Sequence, residues 1–397
     1  MKKIAIFLSH PIQYFSPLFE YISTNSSAVD LHVYYFSRYG VDESQPGEGA
    51  DDFGVPYKWD TPLLEGYKYT FLKNNYKGHP FNGYFGLTNF DIFSILKNEK
   101  YDLVMTHGWH QFSNFLVFLA AKFNGINFSI RGETPAMYEN DKVGFKRFLR
   151  KIFLTQMFQR VDSFFYMGHQ NYLFYRAFNI EKNKLFHTPY SVDNEYFYNC
   201  HKSNNIENIK KSIGIKNNDP VFLFSGKLIN RKQPEMVIKA FEIVRKIIPC
   251  HLVIVGDGEM KKNLMSYQLE NKVKNVFFMG FVNQSKIHEY YSIADIFVLP
   301  SYYETWGLVV NEAMCCECAI LVSTLVGSSY DLLVEGENGY SFDSFSLSDL
   351  VKKMTTISSD IGNLAGLKIK SRKIIQNFSY QEVLDGIEDA VTLKDDQ

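Results

Sequence analysis

The feature that most constrains this chain is a rhythm of short, wholly apolar runs. Each is closed by Gly, Ser or Pro, and most are followed by a helically spaced stretch. In the second half, Val221-Phe222-Leu223-Phe224-Ser225 ends at Gly226, and Val237, Ile238, Phe241, Val244 and Ile248 then recur at helical spacing. Residues 251–255 end at Gly256-Asp257-Gly258, residues 276–279 at Gly280, and residues 296–299 at Pro300-Ser301; residues 319–322 form a fifth run. Runs without polar alternation are strands covered on both faces, and their alternation with amphipathic helices makes the sheet parallel. Ligands of such sheets bind at the carboxyl ends of the strands. The first half repeats the plan at residues 4–8, 31–36, 103–106, 128–130, 163–166 and 185–187. Residues 41–86, rich in Gly, Pro, Asp and aromatics, read as an irregular insertion, and the polar stretch 199–218 reads as a linker.

At about 150 residues per domain, 397 residues make two to three domains. The expected fold class is α/β, with two doubly wound Rossmann-like domains facing a central cleft. The expected boundaries are 1–198 and 199–375, with a terminal helix in 376–397 packing back on the N-terminal domain, and the cleft is the default site. Forty-two cationic against 43 acidic side chains leave a net charge of -1, so no global field draws the chain to nucleic acid. The apolar run 4–8 is broken by Ser9, His10 and Pro11, too early for a secretory leader. No run approaches the ~20 residues that cross a bilayer. A cytoplasmic place is therefore expected. Five cysteines, an odd number, argue for buried thiols rather than a disulfide framework. The Cys315-Cys316-Glu317-Cys318 cluster lacks histidines at ligand spacing, so no metal is expected there. Aromatics reach 16%, which points to membrane contact, carbohydrate contact or a coding bias. Trp109 and Trp306 fall at predicted strand ends and are expected to face the cleft.

Chemistry concentrates at those strand ends. Glu304-Thr305-Trp306-Gly307-Leu308 follows a strand and opens a helix, whose free N–H groups suit a phosphate or a sugar hydroxyl. Glu304 and Glu312 read either as two carboxylates gripping separate hydroxyl sets or as a cap and a solvated face. Lys227 and Lys232 follow another strand end and can both reach one diphosphate; a basic surface loop is the alternative. Gly256 and Gly258 permit a close backbone approach, and the segment from Gly280 to Phe281 and Val282 offers backbone groups to a flat base. Arg131-Gly132-Glu133 ends a first-domain strand, either facing the cleft or forming a local ion pair.

These residues resemble the retaining family 4 glycosyltransferases of twin-Rossmann, GT-B type. The family's E-x7-E pair is matched by Glu304 and Glu312, and its GRL…K segment is similar to Gly226-Lys227-Leu228…Lys232, with Lys in place of Arg. Val255-Gly256-Asp257-Gly258, Gly280-Phe281, Val326-Gly327-Ser328 and Gly336-Glu337-Asn338-Gly339 also look like family segments. The resemblance implies that Lys227 and Lys232 hold the donor diphosphate and that Glu312 takes the ribose hydroxyls. It implies further that Glu304 takes sugar hydroxyls, with the N–H groups of Trp306, Gly307 and Leu308 beside sugar or phosphate. The base would rest near Gly258, Phe281 and Val282. His107, a few residues beyond Asp102, fits the family's first-domain histidine, with His110 as the second candidate. The family's Gly-Gly turn after the first strand is replaced by Ser9-His10-Pro11-Ile12-Gln13-Tyr14. Proline lacks an N–H, so His10 and Gln13 become acceptor-side candidates, with His110, Arg131 and Glu133.

The implied reaction moves a hexose-type sugar from a UDP- or GDP-sugar to a glycan or lipid-linked acceptor in cell-surface polysaccharide or glycolipid synthesis. No Asp-x-Asp occurs in the chain, so the expected reaction is metal-independent and needs no cofactor, and cationic side chains meet the leaving charge. Two alternatives are a nucleotide-sugar epimerase of the same architecture and a non-catalytic nucleotide-sugar or glycan-binding protein. Phe145, Phe148, Leu149, Ile152 and Phe153 share one helix face, cations lie between them, and no acid occurs within 143–160. This helix reads either as a peripheral contact with an anionic membrane, at the inner face of the cell membrane, or as a core-facing helix with a solvated basic side.

Overall fold

The computed structural model describes residues 1–41, 59–139 and 145–392, the side chains of 145–147 and 361 excepted. The chain divides into two compact units. The first comprises Met1–Gly47, Pro62–Tyr190 and Tyr380–Gln397, the second Glu48–Thr61 and Ser191–Ser379.

The first unit carries a parallel sheet of seven strands: β1 (Lys2–Leu8), β2 (Val29–Tyr35), β3 (Lys68–Phe71), β4 (Leu103–His107), β5 (Asn127–Arg131), β6 (Ser163–Tyr166) and β7 (Leu185–His187). Their order is β3-β2-β1-β4-β5-β6-β7. Winding reverses between β1 and β4, so the loops leaving Leu8 and His107 diverge and open a crevice at the sheet's carboxyl edge. β3 lies within the stretch expected to be irregular. It is an edge strand with no fully buried residue, so it shows no apolar run. Phe7, Tyr34, Phe36, Val104, Phe128 and Phe164 build the core on one sheet face. The C-terminal helix Tyr380–Thr392 belongs to this unit, and a Cβ on its Gly386 would lie 1.9 Å from the His187 carbonyl oxygen.

The second unit carries six parallel strands: β8 (Val221–Ser225), β9 (His251–Val255), β10 (Val276–Gly280), β11 (Ile296–Leu299), β12 (Ala319–Ser323) and β13 (Gly339–Phe342). The order β10-β9-β8-β11-β12-β13 places its reversal between β8 and β11. β13 is absent from the sequence reading because it opens on Gly339. That glycine allows close pairing, since a Cβ there would meet the Ile320 carbonyl oxygen at 1.8 Å.

The expected boundary at 198/199 moves to 190/191. Residues 191–198 pack with the second unit: Asn194 Nδ2 donates to the Ile375 carbonyl at 3.0 Å, and Phe197 is buried. The second crossing, expected at 375/376, falls between Ser379 and Tyr380. The expected linker 199–218 is largely helical, with helices Asn194–Ser203 and Ile206–Ser212. Its polarity reflects caps, since Asp193 and Asn205 accept from the backbone N–H groups of Tyr196 and Asn208.

The helix Phe145–Phe158 reverses one expectation. Its core contacts come from Leu154, Met157 and Phe158, whereas Phe148, Leu149, Ile152 and Phe153 are exposed. The Phe145, Lys146 and Arg147 side chains and residues 143 and 144 lie outside the described residues. Among the described residues, no helix is long and apolar enough to cross a membrane.

Candidate active site

At the winding reversal of the second sheet, the turn after β8 and the loop after β11 meet. Lys232 closes a single 3-10 turn, Asn230–Lys232, and its Nζ donates to Glu304 Oε2 in an ion pair with both side chains about nine-tenths buried. The loops are also tied through backbone: Tyr302 N–H donates to the Arg231 carbonyl at 3.1 Å, and Arg231 Nη1 to the Tyr303 carbonyl at 3.2 Å. Glu304 lies outside the helix Leu308–Cys315, so its spacing to Glu312 is not a helical one. The helix is capped by Gly307 at φ +94°, a left-handed conformation that favours glycine, with no side-chain cap on the first N–H groups. Gly327 N–H donates to the Glu304 carbonyl at 2.9 Å, and a Cβ on Gly327 would meet the Thr305 carbonyl oxygen at 1.9 Å.

Glu312 sits in the first turns of that helix and is buried, not on a solvated face. Gln284 Nε2 donates to Oε1 at 2.9 Å, and the Tyr291 hydroxyl to Oε2 at 2.7 Å. The carboxylate is thus oriented from two directions. Sequence reasoning missed Gln284 and Tyr291, which belong to the neighbouring helix Gln284–Ile293 and carry no motif. It also missed Trp59, whose ring centroid is 6.4 Å from that of Phe281. Asp60 accepts from both the backbone N–H and the hydroxyl of Ser285, fixing this short stretch beside Phe281 and Val282.

Gly256 and Gly258 act differently from expectation. A Cβ on Gly256 would lie 1.9 Å from the Gly226 carbonyl oxygen, and one on Gly258 would lie 2.7 Å from that of Leu228. Their close approach is to the adjacent loop after β8. They seat the Lys227 segment, with Leu228 N–H donating to the Asp257 carbonyl at 2.8 Å.

In the first unit, β4 and β5 end side by side at His107 and Arg131. Arg131 Nη1 lies 2.9 Å from His107 Nε2, and Arg131 Nη2 donates to the Thr188 carbonyl at 3.3 Å. Glu133 Oε1 is 3.1 Å from the same His107 nitrogen and accepts from the Tyr190 hydroxyl. The guanidinium lies over the Tyr190 ring at 4.7 Å, and Phe15 meets the imidazole edge-on at 4.6 Å. Burial first, then the Arg131 charge, holds His107 well below the usual histidine range. Burial pulls Arg131 down to about 10, against the opposing pull of Glu133 and Tyr175. Burial pushes the Glu133 carboxyl up, against Arg131. Arg131 and Glu133 therefore meet at the same nitrogen of His107.

Other candidates are placed elsewhere. His10 is buried, edge-on to Tyr39 and Phe81 at 5.6 and 5.1 Å, with Ser9 Oγ 2.9 Å from its Nδ1; burial lowers it to about 4. Its surroundings are an aromatic cluster, not an acceptor surface. Gln13 is buried, and its Oε1 has no hydrogen-bond partner among the described residues. His110 is exposed, its ring 5.0 Å from that of Trp109. Both tryptophans turn inward. Trp109 stacks on Phe174 at 5.6 Å within the core, and buried Trp306 donates Nε1–H to Asn311 Oδ1 at 2.9 Å. Cys315, Cys316 and Cys318 are buried free thiols, and burial pushes Cys318 up to about 12. Among the described residues, no three His, Cys, Asp or Glu side chains cluster as a metal site.

Residues 205–377 match the family model described as glycosyl transferases group 1. An uncharacterized glycosyltransferase of Methanocaldococcus jannaschii is 36% identical over 134 residues, 33% of this chain and 34% of that protein. The match therefore spans about a third of that relative. A UDP-Gal:alpha-D-GlcNAc-diphosphoundecaprenol alpha-1,3-galactosyltransferase of Escherichia coli is 26% identical over 308 residues, 75% of this chain and 77% of that protein. Among solved structures, Anabaena Alr3699/HepE in complex with UDP superposes with a TM-score of 0.73 at 16% identity, covering 100% of both chains; that likeness speaks for the fold. The family match thus falls within the second unit, and the two Rossmann-like parallel sheets give the chain the fold of these solved glycosyltransferase structures.

Proposed function

We propose that the chain transfers a hexose-type sugar, with retention, from a uridine-diphosphate sugar to a lipid-linked or glycan acceptor of cell-surface polysaccharide or glycolipid synthesis. The observation that carries this reading is the buried Lys232–Glu304 pair at the winding reversal of the second sheet, beside the helix that begins at Leu308. A cation and a carboxylate held together there suit the two ends of one ligand: a diphosphate for Lys232 and Lys227, a sugar hydroxyl for Glu304. Glu312, oriented by Gln284 and Tyr291, takes the ribose hydroxyls. Phe281, Val282 and Trp59 flank the base. The uridine series is favoured because the relative matched over three quarters of the chain is named for UDP-galactose and a diphosphoundecaprenol acceptor.

As the glycosidic bond breaks, negative charge grows on the leaving diphosphate. Lys232, Lys227 and the uncapped N–H groups at Gly307 and Leu308 stabilise it. This reading makes the reaction metal-independent, in keeping with a chain that has no Asp-x-Asp. His107 keeps the role that the family resemblance implies, a neutral imidazole toward the transferred sugar. The acceptor side includes a peripheral contact with an anionic membrane through the helix Phe145–Phe158, at the inner face of the cell membrane.

The test is a thermal-shift panel of UDP-, GDP- and CMP-sugars, followed by transfer assays with the stabilising donor. Stabilisation by the uridine series and acceptor-dependent product retained in EDTA are expected. An isomerised sugar released without acceptor would replace this reading with an epimerase. Complete loss in EDTA, restored by a divalent ion, would remove the metal-independent step.

A further inference from the structure

Residues 59–61 belong by sequence to the crossover between β2 and β3 of the first sheet, yet they pack with the second unit. The carboxylate of Asp60 accepts from Ser285 twice, from the backbone N–H at 3.2 Å and from the hydroxyl. Ser285 is the second residue of the helix Gln284–Ile293. The N–H groups of a helix's first turn have no partner within the helix and form its positive end. Here two of them are met by side chains. Asn283 Oδ1 accepts from the Gln284 N–H at 3.0 Å, and Asp60, 225 residues away in sequence, accepts from the next. The Tyr196 hydroxyl donates to the Ser285 carbonyl at 3.4 Å.

The capped helix is the one that orients Glu312. Gln284 Nε2 and the Tyr291 hydroxyl donate to the two oxygens of that buried carboxylate. The two donors are anchored differently. Tyr291 lies well inside the helix and is fully buried, so the core fixes its hydroxyl. Gln284 is the first helical residue and only partly buried, so its aim follows the helix end. Helix ends fray unless they are tied down, and Asp60 ties this one at the residue next to Gln284. Trp59, the neighbour of Asp60, places its ring 6.4 Å from that of Phe281. Of the three tryptophans in the chain, Trp109 and Trp306 are buried, whereas Trp59 is partly exposed.

We propose that Asp60 is a positioning residue of the donor site: by capping the helix Gln284–Ile293 it holds Gln284 on Glu312, and so sharpens recognition of the ribose of the nucleoside diphosphate. Trp59 rests beside the incoming base and reports its arrival. The proposal rests on the reading that Glu312 takes the ribose hydroxyls, and it adds what makes that grip selective. Asp60 is exposed and touches no core residue through these bonds, so its replacement changes the cap and leaves the sheet.

The experiment is titration of the full chain with UDP and with 2′-deoxy-UDP, followed by calorimetry and by tryptophan fluorescence. The wild type binds UDP more tightly than the deoxynucleotide, and Trp59→Phe removes the larger part of the fluorescence change. Asp60→Ala weakens UDP by about three- to tenfold, the loss of one hydrogen bond of ordinary strength. It weakens 2′-deoxy-UDP less, so the preference for ribose narrows, whereas a purely structural role would weaken both alike. Asp60→Asn, which keeps an acceptor for the Ser285 N–H, recovers part of the preference. Gln284→Ala narrows it in the same way, and adding Asp60→Ala narrows it no further, because both act through one contact. An unchanged ribose preference in Asp60→Ala, or full additivity of the two substitutions, would overturn the proposal and leave the donor reading standing. A wild type that binds both nucleotides equally, or neither, would overturn the donor reading and the proposal with it.

Discussion

Arg131 Nη1 lies 2.9 Å from His107 Nε2, across the ends of two neighbouring parallel strands. A guanidinium has donors only. The Glu133 carboxylate oxygen, 3.1 Å from the same nitrogen, accepts when ionised, so Arg131 and Glu133 compete for opposite tautomers of one imidazole. Burial and the Arg131 charge both disfavour a second proton.

Arg131→Met therefore moves the acid limb of the transfer rate toward higher pH, since one of the two causes holding His107 low is gone. Glu133 loses a neighbouring positive charge at the same time, so its carboxyl, already pushed up by burial, rises further and stability falls. A pH–rate profile with paired denaturant melts checks both. An unmoved acid limb in a folded variant would show that Arg131 does not set the protonation of His107.

Lys232→Ala removes charge-assisted contacts worth about 1.5–3 kcal/mol, which is roughly 10- to 100-fold in rate. It also strips buried Glu304 of its ion-pair partner. Single-turnover transfer with the preferred donor measures it, and a rate within twofold of wild type would remove Lys232 from the donor site.

Tyr291→Phe withdraws one of the two donors that orient Glu312. Leaving that buried oxygen without its hydroxyl costs about 1–3 kcal/mol. The expected signature is weaker stabilisation by the nucleotide sugar, with His107-dependent pH behaviour intact. Thermal shifts at graded donor concentration read it directly.

His10 provides a pH prediction for stability. Above pH 6.5 it is neutral both folded and unfolded. As pH falls through 6.5 the unfolded chain takes a proton, whereas the folded group, lowered to about 4, does not. The unfolded state then binds more protons, so stability drops by up to about 3 kcal/mol between pH 6.5 and 4. His10→Phe, set against Tyr39 and Phe81, flattens that part of the curve. Urea midpoints at pH 7 and 4.5 compare the two proteins.

The two sheets were legible because β1 and β8 are almost wholly apolar and end on small residues. β3 and β13 were not, since one is a half-exposed edge and the other begins on glycine. Local motifs showed Lys232 and Glu304, but only the pairing of β8 with β11 brings them together. The spacing of Gly256 and Gly258 looked like room for a ligand, and the room is filled by neighbouring carbonyls. Gln284 and Tyr291 had no signal at all, because orienting a buried carboxylate asks for a hydroxyl or amide at the right place, not for a pattern. Trp109 and Trp306 misled for the opposite reason: their positions at strand ends were right, and their rings turn inward.

The helix Tyr380–Thr392 carries a consequence for biosynthesis. It lies against β7, where its Gly386 leaves no space for a side chain over His187. The layer it adds to the first sheet is translated after the whole of Ser191–Ser379. The second sheet can thus fold first, and the amino-terminal sheet, although made earlier, waits for this helix to complete its own surface.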